Sequence, residues 1–175
     1  MSLTDRDLRS FIRDIPDFPK PGILFKDITP LLANVDAFRS AVEAMAGGFR
    51  GRGIEVVAAP EARGFVFAAP LALAIGAGFV PIRKPGKLPH QTISLDYDLE
   101  YGRDTLQVHR DALADGRRVL LVDDVLATGG TIEACRGLIE RAGAEVVAYA
   151  FAIELGFLGG RSKLEPAEVF SLIRY

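Results

Sequence analysis

Cysteine and histidine are nearly absent from this 175-residue sequence, which contains one cysteine and two histidines. Because Cys135 has no second cysteine to pair with, an intrachain disulfide is excluded. His90 and His109 alone cannot complete the Cys/His ligand sets that structural zinc sites use. The composition therefore favours a reducing, cytoplasmic setting and gives no sign of a metal cluster built from these residues.

An excess of charge of either sign is also lacking, since 21 basic residues face 23 acidic ones and the formal net charge is -2. A chain so close to neutrality has no global field that would draw it to a nucleic acid or a membrane surface. We therefore expect neither partner. Any recognition of phosphate must then depend on a local arrangement of groups.

Long uninterrupted apolar runs are missing as well. The first ten residues mix acids and bases, so they do not have the apolar core of an export signal. Residues 65–82 carry no charge, but Pro70, Gly76, Gly78 and Pro81 interrupt them. We expect this stretch to form a core helix and a following strand, and not a membrane span.

Two segments have the pattern of a β-α-β unit, with near-continuous apolar strands on either side of a helical stretch. Strand, helix and strand are predicted at 54–59, 65–75 and 79–82 in the first unit and at 119–122, 131–142 and 146–153 in the second. Strands of this kind, joined by helices, indicate parallel pairing in a sheet that is buried on both faces. Length and composition predict one α/β domain spanning residues 1–175.

The remaining segments are predicted to surround this sheet. Residues 92–101 alternate apolar and polar, so with a turn at 102–104 and a strand at 105–109 they indicate a half-buried hairpin. The basic stretch 83–89 contains Pro and Gly, and we expect it to be a mobile loop. In the N-terminal part we predict an amphipathic segment at 3–15, a proline-rich connection at 16–22 and a helix at 36–49 with Asp36 as its N-cap.

The stretch after the strand at 119–122 predicts an anion site. Ala127–Thr131 consists of small residues, and Gly129 and Gly130 give it conformational freedom at the start of a helix. Thr128 and Thr131 supply two hydroxyl groups. The backbone N–H groups of the stretch can converge on a phosphate with help from the helix dipole. The alternative is an ordinary strand-to-helix turn, in which the glycines only permit the bend and the nearby acids are only solvated.

Two neighbouring carboxylates, Asp123 and Asp124, favour the phosphate interpretation in a specific form. Placed directly against a phosphate they would repel it, so we expect them to accept hydrogen bonds from hydroxyls of the same ligand. The 2'- and 3'-hydroxyls of a ribose meet this requirement. The sequence therefore predicts that the loop holds a 5'-phosphate while the two carboxylates hold the attached sugar.

The apolar strand, Asp-Asp pair, small-residue loop and helix together resemble the phosphoribosyl pyrophosphate signature of the type I phosphoribosyltransferases. Within that family, the chain is most similar to the adenine phosphoribosyltransferases. The further matching stretches are 17–28, 61–65, 99–102 and 170–175, in the same order. The resemblance implies a mainly parallel twisted sheet flanked by helices, with a flexible hairpin loop and a small N-terminal hood over about residues 1–35.

The resemblance also implies roles for individual residues. Phe25 would stack on the adenine ring, and the backbone at Leu24 and Lys26 would form hydrogen bonds with the edge of the base. The alternative is that Phe25 belongs to a small satellite core. The peptide between Glu61 and Ala62 is expected to be strained or cis. The residues implied to contact pyrophosphate are Arg63, Arg83, Lys84 and Lys87, although a basic cluster of this kind can also be solvated surface.

Two residues of the hairpin complete the implied site. Glu100 would approach the purine ring nitrogen as an acid/base and act as a catalytic residue with Arg63, and Tyr101 would help to seat the loop. An outward carboxylate on a hairpin is otherwise more often solvated. Closure of residues 83–101 would exclude water from the reaction.

The activity implied by the resemblance is transfer of the phosphoribosyl group from phosphoribosyl pyrophosphate to adenine, giving AMP and pyrophosphate. Magnesium is the implied cofactor, held mainly by substrate oxygens and water so that no protein metal site is expected. A homodimer is the implied assembly. Two alternatives remain open: an enzyme of the same fold that uses xanthine, hypoxanthine or orotate, and a non-catalytic sensor of phosphoribosyl pyrophosphate.

Overall fold

The computed structural model describes residues 4–99, 102–113 and 116–175. Along the chain, the strands are β1 (Arg13–Pro16), β2 (Leu24–Asp27), β3 (Val56–Pro60), β4 (Gly78–Ile82), β5 (Thr92–Leu99), β6 (Gly102–His109), β7 (Arg118–Leu126), β8 (Glu145–Glu154) and β9 (Glu168–Arg174). The helices are α1 (Asp5–Arg9), α2 (Thr29–Ala33), α3 (Val35–Gly47), α4 (Gly64–Ile75) and α5 (Gly130–Arg141), with short 3-10 helices at Gly156–Leu158 and Gly160–Leu164.

A five-stranded parallel sheet in the order β4-β3-β7-β8-β9 forms the centre. This confirms the predicted parallel α/β architecture. From β3 the chain continues to β4 on one side, whereas from β7 it continues to β8 and β9 on the other. The order therefore reverses between β3 and β7, and in open α/β sheets ligands bind outside the carboxyl ends of the strands at such a point.

Each face of the sheet has its own apolar core. On one face, Met45 of α3 and Phe67 and Leu71 of α4 are fully buried against the strands. On the other, Leu138 of α5 and Val108 of β6 are fully buried in a second cluster. Apolar strands need cover on both faces, and the helices together with the β5-β6 hairpin supply it. Within the described residues, every helix is too short or too polar to cross a membrane.

The predicted hairpin is present as the antiparallel pair β5-β6, but the predicted turn at 102–104 is wrong. Gly102 pairs with Leu99, and Asp104 pairs with Tyr97. Residues 102–104 therefore belong to β6, because the ladder of backbone hydrogen bonds extends three residues further than the alternation of side chains suggested.

Two expectations for the N-terminal part are corrected. The amphipathic segment predicted over 3–15 is helical only in α1, since the chain then forms β1, which pairs with β2 through a register that joins Arg13 to Asp27. Their side chains also form an ion pair of 2.6 Å. The N-cap of α3 is Asn34 and not Asp36, because the Asn34 side chain accepts hydrogen bonds from the backbone N–H groups of Asp36 and Ala37.

The strand β7 is longer than the predicted 119–122. It continues to Leu126, so Asp123 and Asp124 lie within the strand and not beyond it. The physical reason is its neighbour β8, which pairs with β7 as far as Glu154, with Asp123 opposite Phe151 and Val125 opposite Ile153. One consequence is that both carboxylates are carried by a strand of the central sheet, whereas the loop of the site begins only after Leu126.

Candidate active site

A cavity of about 460 Å³ lies at the carboxyl ends of β3 and β7, where the order of the sheet reverses. Its wall comes from these strand ends and from the loops that follow them. The lining residues are 60–63 at the end of β3 and 123–132 from the end of β7 to the first turn of α5. The cavity thus brings together Arg63, both aspartates and the whole of the predicted phosphate loop, which consists of Ala127, Thr128, Gly129, Gly130 and Thr131.

The phosphate loop, residues 127–131, has the backbone that its composition predicted. Gly129 has a φ of 81°, in the left-handed region that glycine adopts without steric cost, and it is the N-cap of α5. Within the described part of the chain, no side chain caps this helix, so backbone N–H groups of its first turn remain available at the cavity. A helix start of this kind favours an anion through both its N–H groups and its dipole.

The two hydroxyl residues of the loop, Thr128 and Thr131, both line the cavity. Thr128 follows the end of β7 and lies before the helix, whereas Thr131 lies in the first turn of α5. A threonine hydroxyl can donate one hydrogen bond and accept others. The loop can therefore offer side-chain donors to an anion in addition to its backbone N–H groups.

The two aspartates differ in their surroundings. Asp124 is 4% exposed, and its Oδ2 lies 2.6 Å from Nε of Arg63. Asp123 accepts a hydrogen bond of 2.9 Å from the backbone N–H of Asp124. Desolvation by the surrounding protein, reinforced by the charge of Asp124, raises the pKa of Asp123 well above its usual value. The pair thus has one carboxylate, Asp124, that is held by a cation and a second, Asp123, whose pKa lies above its usual value.

A close approach between β7 and α4 positions the Asp123 carboxyl group. A methyl group built on Gly64 would lie 2.9 Å from Oδ1 of Asp123 and 3.3 Å from the carbonyl oxygen of Val122. Only glycine leaves room for the carboxyl group at this place. The loop after β3 and the end of β7 are therefore packed together through a residue that the sequence pattern marked only as part of the stretch 61–65.

The residues predicted to recognise a base, Leu24, Phe25 and Lys26, lie on β2. The Phe25 ring packs edge-on against Phe18, with centroids 5.1 Å apart, and the guanidinium group of Arg63 lies 5.3 Å from the Phe25 centroid. Arg63 therefore links Asp124 in the cavity wall to the Phe25 ring on β2. Leu24, the preceding residue on β2, is about half exposed.

The side chain of Lys26 makes its contacts with residues that do not line the cavity. Its Nζ lies 2.6 Å from Asp14 and 3.9 Å from the centroid of the Tyr175 ring. These contacts leave the backbone as the part of Lys26 that can recognise a ligand. The main-chain role that the resemblance implied for this position stays a prediction.

The basic residues 83–87 are not part of the cavity wall. Arg83 forms an ion pair of 3.0 Å with Glu61, which does line the cavity. Lys84 pairs with Asp104 at 2.9 Å, and this hydrogen bond raises the pKa of the lysine. Lys87 is exposed. The structure thus connects both Arg83 and Lys84 to the site through the Glu61 carboxylate, which also accepts a hydrogen bond of 2.5 Å from the backbone N–H of Lys84.

Two predicted residues, Glu100 and Tyr101, lie outside the described residues. The hairpin contributes a contact that sequence reasoning missed, because Tyr97 of β5 shares a hydrogen bond with the Thr131 side chain. Burial, as the main cause, raises the pKa of this tyrosine. The alternation along β5 could have placed Tyr97 on the inward face, but no local signal identifies the residue that it meets.

Glu61 was also missed as a residue of the cavity wall, although the stretch that contains it was singled out. The peptide bond between Glu61 and Ala62 is cis, as the resemblance implied. The other lining residues that were not predicted are Pro60, Ala62, Val125, Leu126 and Ile132. They are apolar, and an apolar residue after a strand does not differ in sequence from one that packs into the core.

Comparison with known proteins identifies relatives of this chain. Residues 30–171 match the family described as "Phosphoribosyl transferase domain". An adenine phosphoribosyltransferase from Rhodopirellula baltica is 58% identical over 169 residues, covering 97% of this chain and 82% of the relative.

Two solved structures are similar over nearly the whole chain. That of adenine phosphoribosyltransferase from Thermoanaerobacter pseudethanolicus has a TM-score of 0.94 and 53% identity, covering 98% of this chain and 100% of that one. The enzyme from Saccharomyces cerevisiae, solved with adenine and an imino-altritol bisphosphate, has a TM-score of 0.90 and 40% identity, covering 97% and 98% of the two chains.

Proposed function

The chain belongs to the adenine phosphoribosyltransferases of the phosphoribosyl transferase family, and on that basis we infer that it joins adenine to a ribose phosphate. It transfers the phosphoribosyl group from 5-phosphoribosyl 1-pyrophosphate to adenine, which forms AMP and pyrophosphate and salvages a free purine. The observation that carries this conclusion is the single cavity wall that joins an anion-binding helix start to two carboxylates. The helix start can hold the 5'-phosphate, and the two carboxylates can hold the ribose hydroxyls.

The reaction breaks the bond between C1 of the ribose and the pyrophosphate oxygen, and it forms a bond from C1 to a ring nitrogen of adenine. Pyrophosphate leaves with the electron pair, and the base loses a proton. We propose that residues 127–131, with the hydroxyls of Thr128 and Thr131, bind the 5'-phosphate and that Asp123 and Asp124 accept hydrogen bonds from the ribose. Held in this way, the sugar carbon is oriented before the bond breaks, which removes much of the entropic barrier.

Arg63 is proposed as the residue that stabilises the departing pyrophosphate. Its guanidinium group lies between Asp124 and the Phe25 ring, so it is held at the point where sugar, base and leaving group would meet. Preorganised cations lower the barrier because they meet charge that develops in the transition state. Arg83, Lys84 and Lys87 are proposed as further donors, which requires the segment 83–87 to approach the cavity.

The base is proposed to stack on Phe25, while the backbone at Leu24 and Lys26 forms hydrogen bonds with the edge of the base. The half-buried ring beside Arg63 supports this role, since an aromatic face next to a cation can hold a flat, uncharged ring. Glu100 is proposed to take the proton that the base loses. Tyr101 is proposed to help hold the hairpin loop in place over the site. Residues 1–35 would then act as a hood within one domain that spans 1–175.

Magnesium is the proposed cofactor. Magnesium is commonly bound by one or two carboxylates together with substrate phosphates and water. Among the described residues there is no group of three or more potential ligands, whereas Asp123 and Asp124 border the cavity. We propose, as the family resemblance implies, that the ion is held mainly by substrate oxygens and water. When bound, it would neutralise charge on the pyrophosphate.

A homodimer and a cytoplasmic location are proposed in addition. The family resemblance suggests the dimer, and light scattering in dilute solution should then give about twice the chain mass of 18.9 kDa. A scattering mass that stays at one chain would contradict it. The location is suggested by Cys135, which is a buried free thiol.

Labelled bases provide the direct test of the proposed function. With 5-phosphoribosyl 1-pyrophosphate and magnesium, adenine should be converted to AMP at least about a hundredfold faster than hypoxanthine or xanthine, because a site that hydrogen-bonds one base leaves buried groups unpaired with another. Faster turnover of a 6-oxopurine would show that the base assignment is wrong. Binding of the sugar substrate without turnover of any base would favour the sensor.

A further inference from the structure

The phosphate loop is packed backbone to backbone against a distant part of the chain. A methyl group built on Gly160 would collide with the carbonyl oxygen of Ala127 and would lie 3.0 Å from the backbone nitrogen of Gly129. A methyl group on Gly129 would lie 2.9 Å from the carbonyl oxygen of Gly160. The two glycines thus face each other across a contact that has no room for a side chain on either of them.

The segment that carries Gly160, residues 159–164, is anchored at both ends. Gly159 begins it with a φ of 68°, and Leu164 ends it fully buried in the second core. Just before it, the backbone N–H of Leu155 donates a hydrogen bond of 2.9 Å to the carbonyl oxygen of Leu126, the last residue of β7. The segment is therefore tied to the strand end from which the phosphate loop departs.

An ion pair with a buried carboxylate fixes Arg161, the residue next to Gly160, although the arginine side chain is itself 35% exposed. Arg161 donates from Nε and Nη2 to the two carboxylate oxygens of Glu154, at 3.0 and 2.5 Å, and Glu154 is 1% exposed. Nη1 donates to the carbonyl oxygen of Val169 on β9 at 2.9 Å. Ser171 donates to the same carboxylate at 2.6 Å. The guanidinium group thus joins segment 159–164 to both β8 and β9.

This network is a poor choice if stability alone is required. Removing the Glu154 carboxylate from water is costly, and well-packed apolar residues often replace an ion pair that contains a buried charge without loss. A bidentate arginine-carboxylate pair adds a fixed geometry, because both groups are planar and meet in one orientation. What this pair holds in a fixed orientation is the backbone on which the phosphate loop rests.

We propose that segment 159–164, held by the Arg161–Glu154 pair, is a positioning element that sets the phosphate loop for binding the 5'-phosphate. The inference rests on the proposed function, since it assigns the loop to the phosphate of the sugar substrate. None of these residues lines the cavity. They act through residues 127–130, by keeping the N–H groups of the loop in the binding geometry before the ligand arrives.

The test measures how much the 5'-phosphate contributes to binding. Titration calorimetry gives the dissociation constants of adenosine and of AMP, and the quantity compared is the constant for adenosine divided by the constant for AMP. The two ligands share base and ribose and differ in the 5'-phosphate. In Gly160→Ala this ratio should fall at least about tenfold, which corresponds to about 1.4 kcal/mol, while adenosine binding stays within about twofold. Gly47→Ala is the matched control, because Gly47 has open space around its position and should keep the wild-type ratio.

The ion pair is tested separately, so that the outcome does not depend on whether Gly160→Ala folds. Arg161→Lys keeps the charge and loses the bidentate geometry, and Glu154→Gln/Arg161→Met removes both charges together. In each, the KM for 5-phosphoribosyl 1-pyrophosphate should rise about tenfold while the KM for adenine stays within about twofold. The control is Arg52→Met, which breaks an arginine-glutamate pair with Glu168 on the surface.

The outcomes separate this inference from the proposed function. A folded Gly160→Ala or Arg161→Lys protein that keeps the wild-type ratio and both KM values shows that the positioning role is wrong. A lower melting temperature with an unchanged ratio also overturns it, because the network would then serve stability only. If the wild-type protein binds AMP no more tightly than adenosine, the phosphate site itself fails and the proposed function fails with it.

Discussion

Replacing Gly129 with alanine is expected to abolish most of the affinity for the phosphate group. Alanine at a φ of 81° costs about 1–2 kcal/mol, and its methyl group would lie 2.9 Å from the carbonyl oxygen of Gly160. The loop can relieve both problems only by moving, which turns the N–H groups of the first turn of α5 away from the ligand. We expect the KM for the sugar substrate to rise at least about a hundredfold, since two or more charge-assisted hydrogen bonds are lost.

Gly143→Ala is the matched control for this change. Gly143 follows α5 and has a φ of 92°, but its surroundings are open, so alanine there carries the same kind of backbone strain away from the cavity. It should lower the melting temperature and leave both KM values unchanged. A Gly129→Ala protein that behaves like this control would show that the loop does not bind phosphate.

Asp124→Asn should reduce kcat/KM for the sugar substrate by roughly 10- to 150-fold, which is the loss of a charge-assisted hydrogen bond worth about 1.5–3 kcal/mol. The asparagine keeps the shape of the side chain, so the cavity is preserved. What changes is the charge at a position that is 4% exposed, with two effects on the site. The ribose loses a charged acceptor, and Arg63 loses the partner that holds its guanidinium group 2.6 Å away.

Steady-state kinetics and AMP titration together check this prediction. Asp36→Asn is a suitable control, because Asp36 pairs with Arg39 on the surface of α3 and both side chains are largely exposed. It should leave the kinetics unaltered. Wild-type rates in Asp124→Asn would remove the aspartate from the proposed mechanism, and the Arg63–Asp124 pair would then be a structural contact only.

The sequence predicted the presence of helices and strands more accurately than the residues at which they begin and end. Elements with strong periodicity are confirmed, including both β-α-β units and the hairpin, because burial on a sheet or helix face imposes that periodicity directly. Element ends are less accurate, as the N-cap at Asn34 and the extension of β7 to Leu126 show. An end depends on which neighbour continues the hydrogen-bond ladder, and for β7 that neighbour is β8, which lies beyond the phosphate loop and α5 in the chain.

The short strands and the ninth strand were harder to predict. Strands β1 and β2 are each four residues long. Strand β1 lies where the sequence predicted the end of the amphipathic segment at 3–15. Strand β9 was noted only for its resemblance to a family terminus. Strands of this length carry few residues per face, so their pairing partners decide whether they form.

By itself, the sequence determined the parallel α/β architecture and the glycine-containing loop at 127–131 that is predicted to bind an anion, since both follow from local side-chain patterns. Only the tertiary structure decided that Arg63 meets Asp124, that its guanidinium group covers Phe25, and that Gly160 lies against the loop. The physical reason is that these contacts join strand ends and loops brought together by the order of the sheet. No pattern within one segment encodes which distant segment will lie beside it.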